Sequence, residues 1–398
     1  MTLVYKPAAL VVAFAIFVTL WITMIPMKQL PAYAAVSDVQ GADAPFFSEH
    51  WISHGETTEA HSANIVINQG KPVVVWYGGT EEGHKDVAIF LSTFDDDVWS
   101  EPRVVTNRAM AEAGLNRYIR KIGNPALHAW PDGSLGLFFV TVSFGGWGAA
   151  NISYMESPDL GVTWSGPERL VTSPFLNIST LVRADGLNLK GGDLSLPVYH
   201  EMAGKFAETL HLTRSRVVMD KVRISRGKHS LQPAIANTDD QHGYAMLRYA
   251  GDGPPKLLAS KTFDGGLHWE APHQEDLPNP DAAVALLNLG DNALLMALND
   301  LEDGRHKLSL AINVDIDNGG DWRIIKTLEE EAPEPPAGQR PYQFSYPSFA
   351  MDDEGFIHLV YTWNVARIRH LKFNRAWTES LQPTLGIMPD SSTEQIQE

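Results

Sequence analysis

Cysteine is absent from all 398 residues of the chain, and this absence excludes disulfide bonds, thiolate metal ligands and cysteine nucleophiles. The sequence also lacks an HExxH pair, a glycine-rich phosphate loop that opens a helix, and a GxSxG motif. A catalytic zinc, a nucleotide site and a serine hydrolase site therefore have no motif to support them. We expect no metal ion and no other cofactor.

Basic residues are few: 31 lysines and arginines face 48 aspartates and glutamates, which gives a formal net charge of −17. Nucleic-acid phosphates need a basic surface that displaces their counterions, so nucleic acid is excluded as a partner. An acidic small substrate is not excluded, because a local arginine pocket can lie within an acidic exterior.

Long helical patterns are missing as well. The best helical candidate covers residues 107–121, and Gly114 interrupts it. From residue 45 onward, short apolar runs alternate with Gly, Asp or Asn turns, as in HAWPDGSLGLFFVTVS and FAMDDEGFIHLVYTW. Paired β-rich runs joined by such turns are typical of hairpins, so the sequence predicts an all-β fold.

The hairpins recur at a spacing of roughly 50 residues, which is typical of a β-propeller. Six repeats can be placed, near residues 61–100, 120–165, 178–218, 230–270, 281–323 and 343–374. We therefore predict a six-bladed β-propeller over residues 45–377, with an acidic, proline-rich excursion at 328–341 between the last two repeats. The polar residues 378–398 are predicted to form a disordered tail.

The N-terminus carries eighteen uncharged, mostly apolar residues at 8–25, with Lys6 before them and Lys28 after. This length is just enough to span a bilayer, while Ala32-Tyr33-Ala34 has the small-x-small pattern of a signal cleavage site. Residues 1–35 are thus expected to be either a cleaved signal peptide or a membrane anchor. Either way we expect export to the periplasm or the exterior, with membrane contact only through this segment.

Two stretches, SPDLGVTWSGP at 157–167 and TFDGGLHWEAP at 262–272, share one pattern, and degenerate copies lie at 92–102 and 313–322. In such a pattern the Asp and Ser/Thr side chains can hold a tight turn, Gly takes the left-handed position and Trp can cover a neighbouring sheet edge. The stretches resemble Asp-boxes, the bacterial neuraminidase repeat. With them, residues 55–375 resemble the sialidase superfamily, in particular its branch of predicted sialidases with this repeat.

The resemblance implies an arginine triad for the substrate carboxylate, an acid/base aspartate and a tyrosine nucleophile assisted by a glutamate. Carried over by motif, Asp86 in EEGHKDVAIFLS matches the acid/base aspartate, and Tyr346 in FSYPSFAMDDEGF matches the nucleophile. Arg248 and Arg305 match triad arginines. His61 in HSANIV stands where the first arginine is expected, and Gln232 in LQPAIAN stands where the glutamate is expected.

These two departures change the expected chemistry. His61 could assist a carboxylate by charge only when protonated, and Gln232 cannot accept the proton of Tyr346. A raised pKa is expected for Asp86 from burial among nearby acids. Four further polar residues are candidates for binding substrate near the axis of the propeller, where ligands bind: Glu82, Arg120, Asn124 and His200.

Three functions remain open. The first is a glycoside hydrolase, related to exo-α-sialidases, that acts on an acidic glycan, with Asp86 as acid and Tyr346 as nucleophile or stabiliser of the anomeric carbon. The second is a polysaccharide lyase in which His61 or Tyr346 abstracts a proton alpha to a uronate carboxylate. The third is a non-catalytic carbohydrate-binding propeller. A glycan is the expected partner in each case, and the protein is expected to be a monomer.

Overall fold

Six antiparallel sheets, each of four or five strands, form the blades of a β-propeller in the computed structural model. The structure describes residues 31–35, 41–42, 44–173, 177–227 and 229–381. The predicted all-β, six-bladed fold is confirmed. Of the tail expected at 378–398, residues 378–380 are the end of a short helix, and residues 382–398 lie outside the described residues, as does the apolar segment at 8–25.

Each blade is an antiparallel meander, and in the first and third blades two short strands pair with the same longer neighbour. The first blade contains β2 (Glu59–Asn68), β3 (Lys71–Gly79), β4 (Ala88–Asp95), β5 (Val98–Trp99) and β6 (Arg103–Asn107). The second contains β7 (Lys121–Ala129), β8 (Leu135–Val142), β9 (Ala150–Ser157) and β10 (Glu168–Arg169). The third contains β11 (Leu181–Val182), β12 (Leu187–Asn188), β13 (Leu194–His200), β14 (Phe206–Leu212) and β15 (Val218–Arg223).

The other three blades follow the same plan. The fourth contains β16 (Ser230–Asn237), β17 (Gly243–Tyr249), β18 (Lys256–Thr262) and β19 (His273–Pro278). The fifth contains β20 (Ala285–Gly290), β21 (Ala293–Leu298), β22 (Lys307–Asn313) and β23 (Arg323–Glu330). The sixth contains β24 (Phe344–Met351), β25 (Phe356–Trp363) and β26 (Arg367–Asn374), and its fourth strand is β1 (Phe47–Trp51) from the start of the propeller.

The sixth blade closes the ring. Strand β1 pairs antiparallel with β26, from Phe47 opposite Phe373 to Trp51 opposite Arg369. The two ends of the propeller sequence are thereby held in one sheet, which closes the propeller.

The inner and middle strands are almost fully buried, as in β3 and β8, because each blade packs both faces against its neighbours. Apolar side chains from adjacent blades share single clusters: one joins Val75 and Leu91 of the first blade to Leu137 and Phe139 of the second. The hydrophobic core is therefore a ring of such inter-blade layers around the axis.

Helix α1 (Arg108–Leu115) lies between the first and second blades. The helix ends one residue after Gly114, so the helical pattern of 107–121 is cut short near this glycine, as expected. Gly114 itself lies in the last turn, where a Cβ would approach the Pro167 ring to 2.5 Å. The residue permits close packing of the helix on the outer edge of the second blade. A short C-terminal helix, α2 (Arg375–Ser380), follows β26, and a 3₁₀ turn spans Trp147–Ala149.

The Asp-box stretches form tight turns on the blade edges, as predicted. In the second blade the Asp159 carboxylate accepts hydrogen bonds from the Thr163 main-chain N–H (2.8 Å) and hydroxyl (2.7 Å), and Ser157 accepts one from the Gly161 N–H (2.8 Å). Trp164 packs against the apolar cluster shared with the first blade. These residues hold the scaffold and take no part in the site described below.

Residues 32–35 belong to the propeller unit, which extends the predicted boundary at residue 45 towards the N-terminus. Tyr33 is fully buried and forms a β-bridge with Leu189, and its N–H donates to the Asp240 carbonyl. The Ala32-Tyr33-Ala34 pattern, interpreted from sequence as a cleavage signal, is thus part of the folded body. Among the described residues, no helix has the length and apolarity needed to cross a membrane.

Candidate functional site

Six residues with positive φ angles surround the upper end of the axis, defined here as the end where the inner strand of each blade begins. Every blade contributes one of them, all outside glycine: Ser62, Asn124, Ser179, Gln232, Asp281 and Tyr346, with φ between 46° and 65°. In four blades a β-bulge accompanies this residue. Such backbone strain clusters at binding and catalytic sites, where it aims side chains that a regular strand would not.

Tyr346, the sixth-blade member of these six residues, is half-buried and has charged and aromatic side chains around it. The Arg183 guanidinium carbon lies 5.3 Å and the Arg305 guanidinium carbon 5.8 Å from the centroid of its ring. The His61 ring meets it edge-on at 4.7 Å. In the described part of the chain the Tyr346 hydroxyl has no intramolecular hydrogen bond, which leaves it free for a ligand.

Arg248 is fixed by a hydrogen-bonded network beside Tyr346. Its Nε donates to Asp281 Oδ1 (2.6 Å) and its Nη1 donates to Gln232 Oε1 (2.9 Å). Burial opposes the charge, but Tyr346 and Asp281 raise the pKa of Arg248 above its ordinary value. Arg248 is therefore a permanently charged group with a set orientation.

Gln232 and Asn124 both donate hydrogen bonds to the hydroxyl of a second tyrosine, Tyr199. Gln232 Nε2 donates to the Tyr199 hydroxyl (3.3 Å), and Asn124 Nδ2 donates to the same oxygen (2.9 Å). Burial raises the pKa of Tyr199, so this hydroxyl stays protonated. Gln232 thus connects Arg248 to Tyr199, and both ends of its amide are used within the network.

Arg183 is a site residue that the sequence analysis missed. It follows β11, is 4% exposed, and donates to the carbonyls of Val284 (3.2 Å) and Pro347 (2.5 Å) in the fifth and sixth blades. Burial lowers its pKa to about 10, which leaves it charged at neutral pH. The segment LVRADG at 181–186 could have indicated Arg183, because an arginine inside an apolar run needs buried partners.

Arg305 reaches the site from the fifth blade. Its Nη2 donates to the Asp281 carbonyl (2.7 Å), and its own carbonyl accepts from the Phe344 N–H (2.8 Å). Together Arg183, Arg248 and Arg305 surround Tyr346 with positive charge, although only the latter two were anticipated. The structure therefore brings together six predicted residues: His61, Asn124, Gln232, Arg248, Arg305 and Tyr346.

His61 is uncharged in the folded protein. It is 5% exposed, and burial, then the charges of Arg305 and Arg183, lower its pKa to about 3. Its Nδ1 lies 3.1 Å from the Thr362 hydroxyl, within hydrogen-bond distance. The protonated His61 considered from sequence is thus disfavoured at neutral pH, and a proton-abstracting role is weakened as well.

A His61→Asn variant is expected to resist acid better than the wild type. Because the folded pKa lies below the unfolded value of 6.5, the stability that His61 contributes is present above that value and is lost as pH falls. Between about pH 7 and pH 5 the loss is about 2 kcal/mol. Urea unfolding at both pH values measures it, and His54→Asn, at an exposed histidine, is the control. An unchanged pH dependence in the His61 variant would contradict the buried neutral state.

Asp86 does not have the predicted environment. It is exposed, accepts from the Thr80 hydroxyl (2.6 Å), and lies 2.6 Å from Nδ1 of His84. These hydrogen bonds hold the pKa of Asp86 well below its ordinary value. The expected raised pKa is therefore wrong: the carboxylate stabilises the turn after β3 and stays ionised, so it is a poor proton donor.

Two acidic residues, Glu82 and Glu201, lie near Lys121 at the upper end of the axis. Glu82 hydrogen-bonds the buried Tyr77 hydroxyl, which helps to raise the pKa of that phenol beyond the effect of burial. Glu82 and Glu201 both act on the charge of Lys121, whose ammonium group lies 3.7 Å from the centroid of the Trp147 ring. This cluster borders the Tyr346 pocket on the side of the first three blades.

Two predicted residues lie away from the pocket. Arg120 is exposed and donates to the Gly145 carbonyl (3.1 Å), which fixes a surface loop. His200 lies 2.6 Å from Glu208 and stacks on Phe206. Because successive side chains alternate across a strand, Tyr199 points into the network described above and His200 points to the opposite face.

The long connection between the fifth and sixth blades also reaches the upper end of the axis. Within it Arg340 forms an ion pair with Glu59 (2.6 Å) at the start of β2, and the second Glu59 oxygen accepts from the Glu82 N–H (2.9 Å). The proline-rich excursion anticipated at 328–341 thus contributes a residue to the rim, although its first three positions continue strand β23.

A propeller with Asp-box turns and an arginine-lined tyrosine on the axis is a sialidase-like architecture. The family model described as a BNR repeat-like domain matches residues 70–359. The match covers most of the chain, which therefore belongs to this family. No curated protein matches the sequence significantly.

Solved structures share the fold at low sequence identity. A protein of unknown function from Dyadobacter fermentans is 15% identical with a TM-score of 0.65, over 85% of this chain and 100% of that one. The NanB sialidase of Streptococcus pneumoniae is 10% identical with a TM-score of 0.64, over 89% and 72%. The intramolecular trans-sialidase of Ruminococcus gnavus is 12% identical with a TM-score of 0.63, over 83% and 97%. Identities this low show the fold alone.

Proposed function

We propose that this protein is an exported, monomeric glycoside hydrolase that releases an acidic sugar from a glycan. The observation that carries the proposal is the group of three arginines around Tyr346 on the upper axis. Guanidinium groups bind carboxylates through charge-assisted hydrogen bonds, and a fixed guanidinium such as Arg248 needs little reorganisation to do so. The sialidase-like fold supports the same reaction class.

Each site residue has a distinct role in the proposed reaction. Arg248 and Arg305 hold the substrate carboxylate, which neutralises the positive pocket, and Arg183 supports the floor beneath them. Tyr346 presents its hydroxyl and ring to the anomeric carbon and stabilises the positive charge that develops there. Asn124, Gln232 and Tyr199 keep Arg248 in place.

A second candidate is binding of an acidic glycan without cleavage. The observation in its favour is Gln232, whose amide is committed to Arg248 and Tyr199 and cannot take a proton from Tyr346. The lyase alternative is less well supported, because the low pKa of His61 makes it a weak base.

A matched pair of substrates tests the carboxylate recognition. We expect fluorogenic glycosides of sialic acid or of a uronic acid to be cleaved, with kcat/KM at least about a hundredfold above that of the corresponding methyl ester, since two charge-assisted bonds are lost. Saturable binding of the free acid without turnover would favour the second candidate. Equal rates on the acid and its ester would contradict the role of Arg248 and Arg305.

A further inference from the structure

Glu201 places a half-buried carboxyl group at the mouth of the Tyr346 pocket. It follows β13 directly, two positions after Tyr199 of the site network. The N–H groups of Glu201 and Met202 donate to the buried Ser179 hydroxyl (3.3 and 2.9 Å). Ser179 is the third-blade member of the positive-φ ring, so a residue of this ring holds the main chain from which the Glu201 side chain extends.

The charges that face Glu201 come from several blades. Among the charged groups, Arg248 has the largest effect on the pKa of Glu201, followed by Lys205, Asp281 and Glu82. Glu201 in turn acts on the charge of Lys121. Burial is the dominant influence and raises the pKa of Glu201 above its ordinary value, while Arg248 opposes the rise. The charge of Arg248 acts on both Glu201 and Tyr346, so all three groups belong to one electrostatic environment.

Glu201 is placed as a proton donor should be, whereas Asp86 is not. A general acid must hold its proton at the working pH and lie beside the reacting atoms. Asp86 is exposed and kept ionised by Thr80 and His84. Glu201 is half-buried, has an acidic neighbour in Glu82, and borders the pocket.

We propose that Glu201 is the catalytic acid of this site, an inference that rests on the proposed hydrolase function. The Glu201 carboxyl group gives its proton to the glycosidic oxygen while the bond from that oxygen to the anomeric carbon breaks. Water adds to the anomeric carbon and releases a proton to solvent, from which the Glu201 carboxylate is reprotonated. The products are the free acidic sugar and the neutral alcohol, whose hydroxyl hydrogen is the proton that Glu201 gave.

Leaving-group dependence tests this role. Glu201→Gln preserves shape and should lower kcat/KM on an alkyl glycoside of the acidic sugar by about 10²–10⁴-fold, the usual share of general acid catalysis. On the dinitrophenyl glycoside, whose leaving group needs no proton, the loss should stay within about tenfold. Asp86→Asn is the matched control and should retain activity on both substrates.

The pH profile gives an independent readout. Wild-type activity on the alkyl glycoside should fall as pH rises through the pKa of Glu201, since the deprotonated group cannot donate, and this limb should vanish in Glu201→Gln. Equal losses on both glycosides, or a leaving-group effect in Asp86→Asn instead, would overturn the assignment. A wild type that hydrolyses neither glycoside would overturn the hydrolase function and this role together.

Discussion

Replacing Tyr346 with phenylalanine is expected to lower the turnover of an acidic glycoside by about a thousandfold or more, which corresponds to about 4 kcal/mol of transition-state stabilisation. The substitution removes only the hydroxyl, the group that faces Arg183 and Arg248. In the proposed reaction this oxygen stabilises the positive charge that develops on the anomeric carbon, and phenylalanine has no atom that can replace it.

Folding should survive the Tyr346→Phe change, because phenylalanine keeps the ring contacts with His61, Arg183 and Arg305. Steady-state kinetics on the fluorogenic acidic glycoside and a thermal melt measure both effects. Tyr361→Phe in the same blade is the control: its hydroxyl donates to Glu329 (2.7 Å), away from the pocket. Full activity in Tyr346→Phe would refute the role of the hydroxyl.

The second large effect concerns stability and the N-terminal edge of the propeller. Tyr33→Ala is expected to lower the free energy of unfolding by about 3–5 kcal/mol, the usual cost of deleting a buried aromatic ring. Tyr33 is 0% exposed and packs against Gly243 and Gly266, where a side chain would approach its hydroxyl to 3.1 and 2.7 Å. Both glycines thus leave the space that the ring fills.

Tyr33→Phe and two truncated chains are the matched controls for the Tyr33→Ala measurement. Tyr33→Phe should be nearly neutral, since the hydroxyl finds no hydrogen-bond partner among the described residues. A chain starting at Ala35 should resemble Tyr33→Ala in urea unfolding, while a chain starting at Ala32 should keep full stability. Equal stability of the two truncated chains would show that the segment is dispensable and that cleavage after Ala34 is compatible with the fold.

Local patterns made the scaffold predictable. Hairpin turns and Asp-boxes are short-range signals, because Ser157, Asp159 and Thr163 bond to one another within seven residues. Their spacing was enough to count six blades. The closing of the ring by β1 was not anticipated, since pairing between residues 47–51 and 369–373 has no local signature.

Most of the site residues that could be predicted lie within strands, with Arg305 as the exception. Arg248, Gln232 and Tyr346 occupy inner or second strands, and their positions follow from the blade repeat. Asp86 and Glu201 lie in connections between strands, where hydrogen bonds with Thr80 and Ser179 hold the side chain of the first and the main chain of the second. Those contacts depend on loop geometry that spacing does not encode.

One pattern in the sequence could have located the ring of positive-φ residues. Three of its members precede proline and a small residue, in Asn124-Pro125-Ala126, Gln232-Pro233-Ala234 and Tyr346-Pro347-Ser348. Their recurrence at the start of the second, fourth and sixth blades marks equivalent positions around the axis. All three contribute a side chain to the pocket.

The most direct test of the central proposal is the incorporation of ¹⁸O from labelled water. The protein is incubated in this water with an oligosaccharide that ends in an acidic sugar, and the masses of the products are measured by mass spectrometry. Hydrolysis at the Tyr346 pocket predicts a released acidic sugar that carries one ¹⁸O atom, and no release by the Tyr346→Phe variant. An unsaturated, unlabelled product, or an intact oligosaccharide bound without cleavage, would contradict the hydrolase account.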